Sequence, residues 1–278
     1  MSTWLITGSS TGLGRDLARA VLAAGHNAIV TARNADSVRD LAEAHPDTAL
    51  AVPLDVTNAA QVAGAVRAGE ERFGAIDVLV NNAGYGYRAA VEEGDDADVA
   101  ALFATNVFGP VALIKAALPG MRARKSGAIV NVSSIGARIC PPGSGYYAAT
   151  KAALESLSGS LRKELAPLGI SVVVVEPGGF RTDFAGRSLQ QSATVIDDYA
   201  ETAGKRRKEN DSTHGAQPGD PARAARAIIT AVEADQPPAL LMLGTDALTS
   251  IRAVIDAQLA ELTAWEKTSL STDFPASP

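Results

Sequence analysis

At 278 residues, 46% of them hydrophobic, the chain is long enough to close one large α/β core, and no linker divides it into two domains. A net charge of −6 argues against nucleic acid, whose binding calls for a basic face, and no run of about 20 apolar residues stands out as a membrane span. A lone cysteine, Cys140, forbids an internal disulfide and fits a reducing cytoplasm, while His26, His45 and His214 are too scattered to suggest a metal site.

Residues 3–7 form a short apolar run that breaks into Gly8-Ser-Ser-Thr-Gly12-Leu-Gly14 and resumes as a helical pattern through Leu17, Ala18, Val21 and Leu22. This predicts a strand, a glycine turn and a helix over 12–24, and a first strand so near Met1 leads us to expect no secretory leader. Gly8 suits the tight turn, Gly12 leaves room for a phosphate-bearing ligand against the backbone, and Gly14 allows close packing of helix on sheet. Free amides at the positive end of a helix suit a pyrophosphate. The spacing differs from the ordinary Gly-x-Gly-x-x-Gly fingerprint, and a glycine-rich surface turn is the competing reading.

Further strands are predicted near 27–32, 49–54, 76–81, 127–133, 170–176 and 239–243, with helices near 36–44, 58–73, 97–123, 147–167 and 221–234. Short runs rich in Val and Ile between amphipathic segments predict a doubly wound parallel sheet of about seven strands, with helices on both faces. Pro110 predicts a kink or irregular turn early in the 97–123 helix. Two regions depart from the rhythm. Residues 185–219 are polar and carry Lys205-Arg-Arg-Lys208, which reads most simply as a solvated charged face. Residues 244–278 hold an amphipathic stretch through Leu248, Ile251, Val254, Ile255, Leu259 and Leu262 that can cap the core, line a pocket or join subunits.

The second strand ends in Ala32 and Arg33, where NAD-preferring sites place an acidic side chain for the ribose hydroxyls. With no carboxylate there and a guanidinium able to pair a 2′-phosphate, NADP(H) is expected over NAD(H). One charge-assisted hydrogen bond is worth about 1.5–3 kcal/mol, or roughly a tenfold to hundredfold preference. An exposed arginine paired with water is the alternative.

Lys151 follows Tyr147 by four places, so a helix puts both on one face; Tyr146, five places from the lysine, points elsewhere. A phenol has a pKa of about 10, and a neighbouring ammonium favours its ionised form. Ser134 precedes Tyr147 by thirteen places.

Together, Thr7-Gly8-x-x-x-Gly12-Leu13-Gly14, Asp55, Asn81-Asn82-Ala83-Gly84, Asn106, Ser134, Tyr147, Lys151 and Pro177-Gly178 resemble the classical short-chain dehydrogenase/reductase family, in order and spacing, over residues 3 to 182. Residues 176–184 also resemble its 17β-hydroxysteroid-dehydrogenase-like branch, without establishing a steroid substrate. The resemblance implies a single-domain Rossmann-type fold over 1–278, with 185–219 as a substrate flap and 244–278 as a C-terminal extension.

The resemblance also implies an oxidoreductase interconverting a carbonyl and a secondary alcohol, working as a ketoreductase. It implies Tyr147 as the proton donor and acceptor, Lys151 as its pKa-lowering partner and a ribose contact, Ser134 as the carbonyl's hydrogen-bond partner, and Asn106 as the holder of a water. A helix cap is the other reading of Asn106. The pyrophosphate turn is implied to include Ser10, Thr11 and Leu13. Asp55 and Val56 are implied at the adenine, Asn82, Ala83 and Gly84 along the cofactor, Pro177 and Gly178 at the nicotinamide, and Thr182 at its carboxamide or a phosphate. For Asn81 and Asn82, support of the sheet competes with cofactor contact.

Proximity to these motifs places Tyr85, Tyr87, Arg88, Ile135, Cys140, Phe180 and Phe184 at the substrate, a mixed apolar and aromatic cleft suited to an aliphatic or cyclic ketone. Arg88 can instead select an anion or simply be exposed. An NAD-linked alcohol dehydrogenase and a non-catalytic NADP(H) sensor are the rival functions. A homodimer or homotetramer is expected through the two long helices, where Ala116, Ala117, Ala149, Ala152 and Ala153 permit close approach.

Overall fold

A computed structural model describes residues 1–186, 188–208 and 215–274, so His214 and part of the expected flap lie outside the described residues. Seven strands form one parallel sheet: β1 (Thr3–Ile6), β2 (Asn27–Ala32), β3 (Ala49–Pro53), β4 (Val78–Asn81), β6 (Gly127–Val132), β7 (Ile170–Pro177) and β9 (Leu240–Leu243), in the order β3-β2-β1-β4-β6-β7-β9. All seven lie close to the apolar runs that predict them. A small second sheet, which sequence does not predict, pairs β5 (Gly86–Arg88) with β8 (Leu189–Gln191) in parallel.

The helices are α1 (Gly12–Ala23), α2 (Arg39–Ala44), α3 (Ala59–Phe73), α4 (Asp96–Phe103), α5 (Gly109–Arg124), α6 (Gly136–Ile139), α7 (Gly145–Leu165), α8 (Pro221–Val232) and α9 (Thr245–Leu270). Successive strand residues point to opposite faces, and each face carries its own core. Trp4, Ile6, Val30, Val80 and Val130 meet Leu17, Val21 and Ile228 of α1 and α8 on one side. Leu5, Ile29, Leu79 and Ile129 meet Val62, Val66 and Leu113 of α3 and α5 on the other. Side-chain caps set the starts of α3, α4 and α8, with Asp95 capping α4. Asn58 Oδ1 accepts from the amides of Ala60 and Gln61 at α3, and Asp220 Oδ1 does the same for Ala222 and Arg223 at α8, where Pro221 needs no partner.

The expected long helix over 97–123 is broken. Ala104–Phe108 is a π-helical segment between α4 and α5. Pro110 has no N–H with which to continue the α-helical ladder, and the wider turn just before it takes up the mismatch. Taken together, Asp96–Arg124 contains an 18-residue stretch of mean hydropathy 1.6 and is long and apolar enough, by length and composition, to cross a membrane, against the expectation of no such run. In this fold its inner side, Leu102, Leu113, Ala117 and Met121, is buried in the protein's own cores.

The amphipathic C-terminal stretch, to which sequence alone assigns no element, is the helix α9, and only its first two turns are anchored. Ala247 and Ile251 are buried, whereas Leu248, Ile255, Leu259 and Leu262 are exposed.

Candidate active site

The order of the sheet reverses between β1 and β4, and a cleft of about 880 Å³ opens at the C-terminal ends of these strands. Its floor is the glycine turn. Gly8 and Gly12 sit at φ of +69° and +57°, conformations that strain an L side chain. A Cβ on Gly12 would lie 3.2 Å from Thr182 Cβ, so Thr182 faces the turn across the cleft. Gly14 does not line the cleft; a Cβ there would stand 2.4 Å from the Gly8 carbonyl oxygen, which makes it the packing glycine of the turn.

Thr7 and Asn82 hold that turn against β4. Thr7 Oγ1 accepts from the amides of Asn82 and Ala83, both at 2.9 Å, and Asn82 Nδ2 donates to the carbonyls of Thr7 and Gly8 at 2.9 and 3.1 Å. The Asn82 side chain therefore shapes the cradle, while Ala83 and Gly84 offer backbone to the cleft. Asn81 supports the sheet: its Nδ2 donates to Asn131 Oδ1 at 2.8 Å, and Asn131 passes the chain to Ser158.

At the far end, Ser10, Thr11, Leu13, Ala32, Arg33, Asp55 and Val56 line the cleft. Asp55 Oδ1 accepts from the amide and hydroxyl of Thr57, which, with the nearby Arg33 charge, holds its carboxyl below the usual range. Arg33 itself is exposed at the rim.

At the near end α7 carries Tyr147 and Lys151, 8% and 5% exposed, beside Ser134, which follows β6. The Ser134 hydroxyl and the Tyr147 ring lie side by side, 3.3 and 3.6 Å from the point where a Cβ on Gly136 would stand. Burial pushes the phenol up to about 12, opposed by the neighbouring Ser134 hydroxyl and by the charge of Arg88. The net shift is thus upward, where the neighbouring ammonium led us to expect a lower value; the lysine's Nζ donates to the Val132 carbonyl at 2.8 Å, and burial drives its own pKa down to about 8 against the pull of Glu155.

Asn106 is not a helix cap. The π-helical segment turns it inward, where Oδ1 accepts from the Tyr85 amide at 3.1 Å and Nδ2 donates to the Tyr85 carbonyl and to Thr150 Oγ1. It sits behind Gly84, whose missing Cβ would meet Asn106 Oδ1 at 2.9 Å and Lys151 Nζ at 3.5 Å, and it does not line the cleft. Pro177 and Gly178 close the cleft beyond β7.

Of the residues expected at the substrate, Tyr85, Arg88, Ile135, Phe180 and Phe184 line the cleft. Tyr87 and Cys140 do not. The alternation of β5 sends Tyr87 away from the Arg88 side into a buried cluster, where its hydroxyl bonds Asp98 at 3.3 Å. Cys140 is exposed at the left-handed end of α6.

Three contributors carry little sequence signal. Asp246 of α9 enters the cleft and accepts from the Gly179 amide at 2.7 Å. Glu176, fully buried at the end of β7, takes Arg138 Nε at 3.1 and 3.0 Å on its two oxygens, bracing the segment after Ser134. Glu155 accepts from Ser133 Oγ at 2.6 Å. Only the acid ending the apolar run 170–175 could have drawn notice.

A model of the short chain dehydrogenase family matches residues 2–193. Oxidoreductase BOA17 of Botryotinia fuckeliana is 39% identical over 270 residues, covering 97% of this chain and 98% of that protein. The crystal structure of a short-chain dehydrogenase from Streptomyces avermitilis superposes with a TM-score of 0.91 at 44% identity, over 98% of this chain and 100% of that one. A short chain dehydrogenase from Burkholderia cenocepacia in complex with NADP gives 0.73 at 25% identity, over 95% of this chain and 96% of that one. The matched segment contains the glycine cradle, Ser134, Tyr147 and Lys151, and the protein belongs to the short-chain dehydrogenase/reductase family of oxidoreductases.

Proposed function

We propose that the protein is an NADP(H)-preferring oxidoreductase that interconverts a carbonyl and a secondary alcohol, acting as a ketoreductase on a substrate with an apolar or cyclic body. The observation that carries this reading is that Ser134 and Tyr147 stand side by side on the cleft wall, with Lys151 one helical turn behind. The cradle fits a dinucleotide: two positive-φ glycines leave its floor open, and the first amides of α1 end there. When bound, the nicotinamide gives a hydride to the substrate carbon or takes one from it.

The residues of the chain manage the oxygen. Ser134 holds the carbonyl oxygen as charge develops, and Tyr147 passes its proton to it in reduction and takes one in oxidation. An ordinary phenol is already protonated at neutral pH, as a donor must be. Lys151 keeps a positive charge beside the phenolate that forms, and Asn106 fixes the backbone at Tyr85 next to it.

NADP(H) preference is supported by Arg33 at the cleft rim, by Ala32 where an acid would select NAD(H), and by the NADP complex of the Burkholderia relative. Arg33 argues against the NAD-linked alcohol dehydrogenase, and the presence of all four chemical side chains argues against a sensor that does not turn over. We further propose a cytoplasmic homodimer or homotetramer joined through α5 and α7, where Ala149 and Ala152 are exposed, and a flap role for the segment containing β8. NADPH consumption over a panel of aliphatic and cyclic ketones tests the reading; no turnover on any member contradicts it.

A further inference from the structure

The run Lys205-Arg-Arg-Lys208, which reads in sequence as a solvated face, sends one of its side chains inward. Arg207 keeps 12% of its side chain exposed and pairs at 2.6 Å with Glu93, whose side chain is 2% exposed. Arg207 Nη1 also donates to the Ser192 carbonyl at 3.2 Å, and Nη2 to the Thr194 carbonyl at 3.1 Å. Glu93 gathers donors from both stretches. Its Oε2 accepts from the Ala90 amide at 2.7 Å, its Oε1 from the Ile196 amide at 2.9 Å, and its backbone carbonyl from the Ser192 hydroxyl. Burial pushes the Glu93 carboxyl up, but the amides of Ile196 and Ala90 and the Arg207 guanidinium outweigh it and hold the group below its ordinary value.

The pair joins two stretches that both touch the start of α7, the helix carrying Tyr147. On one side, Tyr146 Oη donates to the Val91 carbonyl at 2.7 Å. On the other, Ala203 packs on the turn before the helix, where a Cβ on Gly143 would lie 3.0 Å from Ala203 Cα. Ser188, Gln190 and Arg206, in the same stretch as Arg207, line the cleft, whereas Glu93 and Arg207 do not. A buried ion pair is a poor device for stability alone, because desolvation offsets its attraction. It suits a wall that must open for a ligand, since water takes up both charges again when the stretch lifts.

Resting on the carbonyl-reductase reading, we propose that Glu93 is a positioning residue: as a latch for Arg207 and the Ile196 amide, it fastens residues 192–207 as the cleft wall against which the substrate packs. It acts through that wall and touches no reacting atom. The planar guanidinium reaches the carboxylate and two carbonyls together, so Arg207 sets the register of the stretch as well as its attachment.

Hydrogen–deuterium exchange on the NADP-loaded protein reads the latch without turnover, and KM and kcat on ketones the protein reduces read it during turnover. Glu93→Gln keeps the shape and removes the charge; Arg207→Met breaks the pair from the other side. Each is expected to speed exchange over 192–204 by at least about tenfold while exchange in α8 stays within about twofold. Each should raise KM by a similar factor and leave kcat within about threefold, and Arg207→Lys, which keeps the charge, should fall between. Exchange over 192–204 that is unchanged in both variants overturns the proposal, whatever KM does. Exchange that rises equally in α8 overturns it too, because the pair then holds the whole fold rather than the wall. If exchange rises over 192–204 alone and KM stays as it was, carbonyl reduction stands and the positioning role falls. If that stretch loosens alone while no ketone is turned over, the latch stands and carbonyl reduction falls.

Discussion

Lys151 stands one helical turn beyond Tyr147, its Nζ 5.8 Å from the centre of the phenol ring, yet its hydrogen bond goes to the Val132 carbonyl. The ammonium is thus held by β6 and carried by α7, behind the reacting hydroxyl. Its position costs the fold stability. Burial takes its pKa from 10.5 to about 8, so between these values the folded chain holds fewer protons than the unfolded one. Stability contributed at this site therefore rises with pH across that window, and the cost is fully present below it. Relative to Lys151→Met, the unaltered protein is predicted to gain about 3 kcal/mol from pH 7 to pH 11, read by denaturant unfolding. Stability curves that stay parallel across this range contradict the assignment.

The ion pair beneath Ser134 should be sensitive to loss of one member. Glu176 is fully buried and takes three hydrogen bonds from Arg138, all between 3.0 and 3.1 Å. Arg138→Met leaves that carboxylate without its partner and is predicted to destabilise the protein by about 3 kcal/mol. Thermal unfolding measures the loss; a variant as stable as the original would mean the pair is dispensable.

Gly14 is predicted to matter for a cofactor it does not touch. A Cβ there would stand 2.4 Å from both the Gly8 oxygen and Asn82 Nδ2, so the turn itself must move. Overpacking of this kind costs about 1–3 kcal/mol, and Gly14→Ala should weaken NADPH binding by about tenfold or more while circular dichroism stays unchanged. Unaltered affinity would show that the turn yields without cost.

The proposed preference for NADP(H) turns on Arg33. Arg33→Ala is expected to lower the ratio of NADPH to NADH affinity by roughly tenfold to hundredfold, measured by fluorescence titration of both nucleotides. An unchanged ratio removes the argument for the 2′-phosphate.

The seven strands of the main sheet are legible because a strand buried on both faces reads as a nearly continuous apolar run, as Val172–Val175 does. The glycine turn is legible because its backbone requires residues without a Cβ. The three-residue strands β5 and β8 are too short for a period, and their pairing joins segments about a hundred residues apart. Pro110 marks that the long helix is interrupted, but not that the interruption is a π turn aiming Asn106 at Tyr85. Asp246 and Glu176 reach the site through contacts across the chain, which no local pattern encodes. Nearness in sequence puts Tyr87 beside Arg88, but strand alternation sends the two side chains to opposite sides.

The most direct test compares the initial rate of NADPH oxidation, with a ketone that the protein reduces, for the unaltered protein and Tyr147→Phe. The phenol is assigned the proton that completes the alcohol, so loss of its hydroxyl should cut kcat by about 100-fold to 10,000-fold while leaving NADPH affinity within about twofold. A variant that keeps its rate within about tenfold of the original would place the proton source elsewhere and contradict the role assigned to Tyr147.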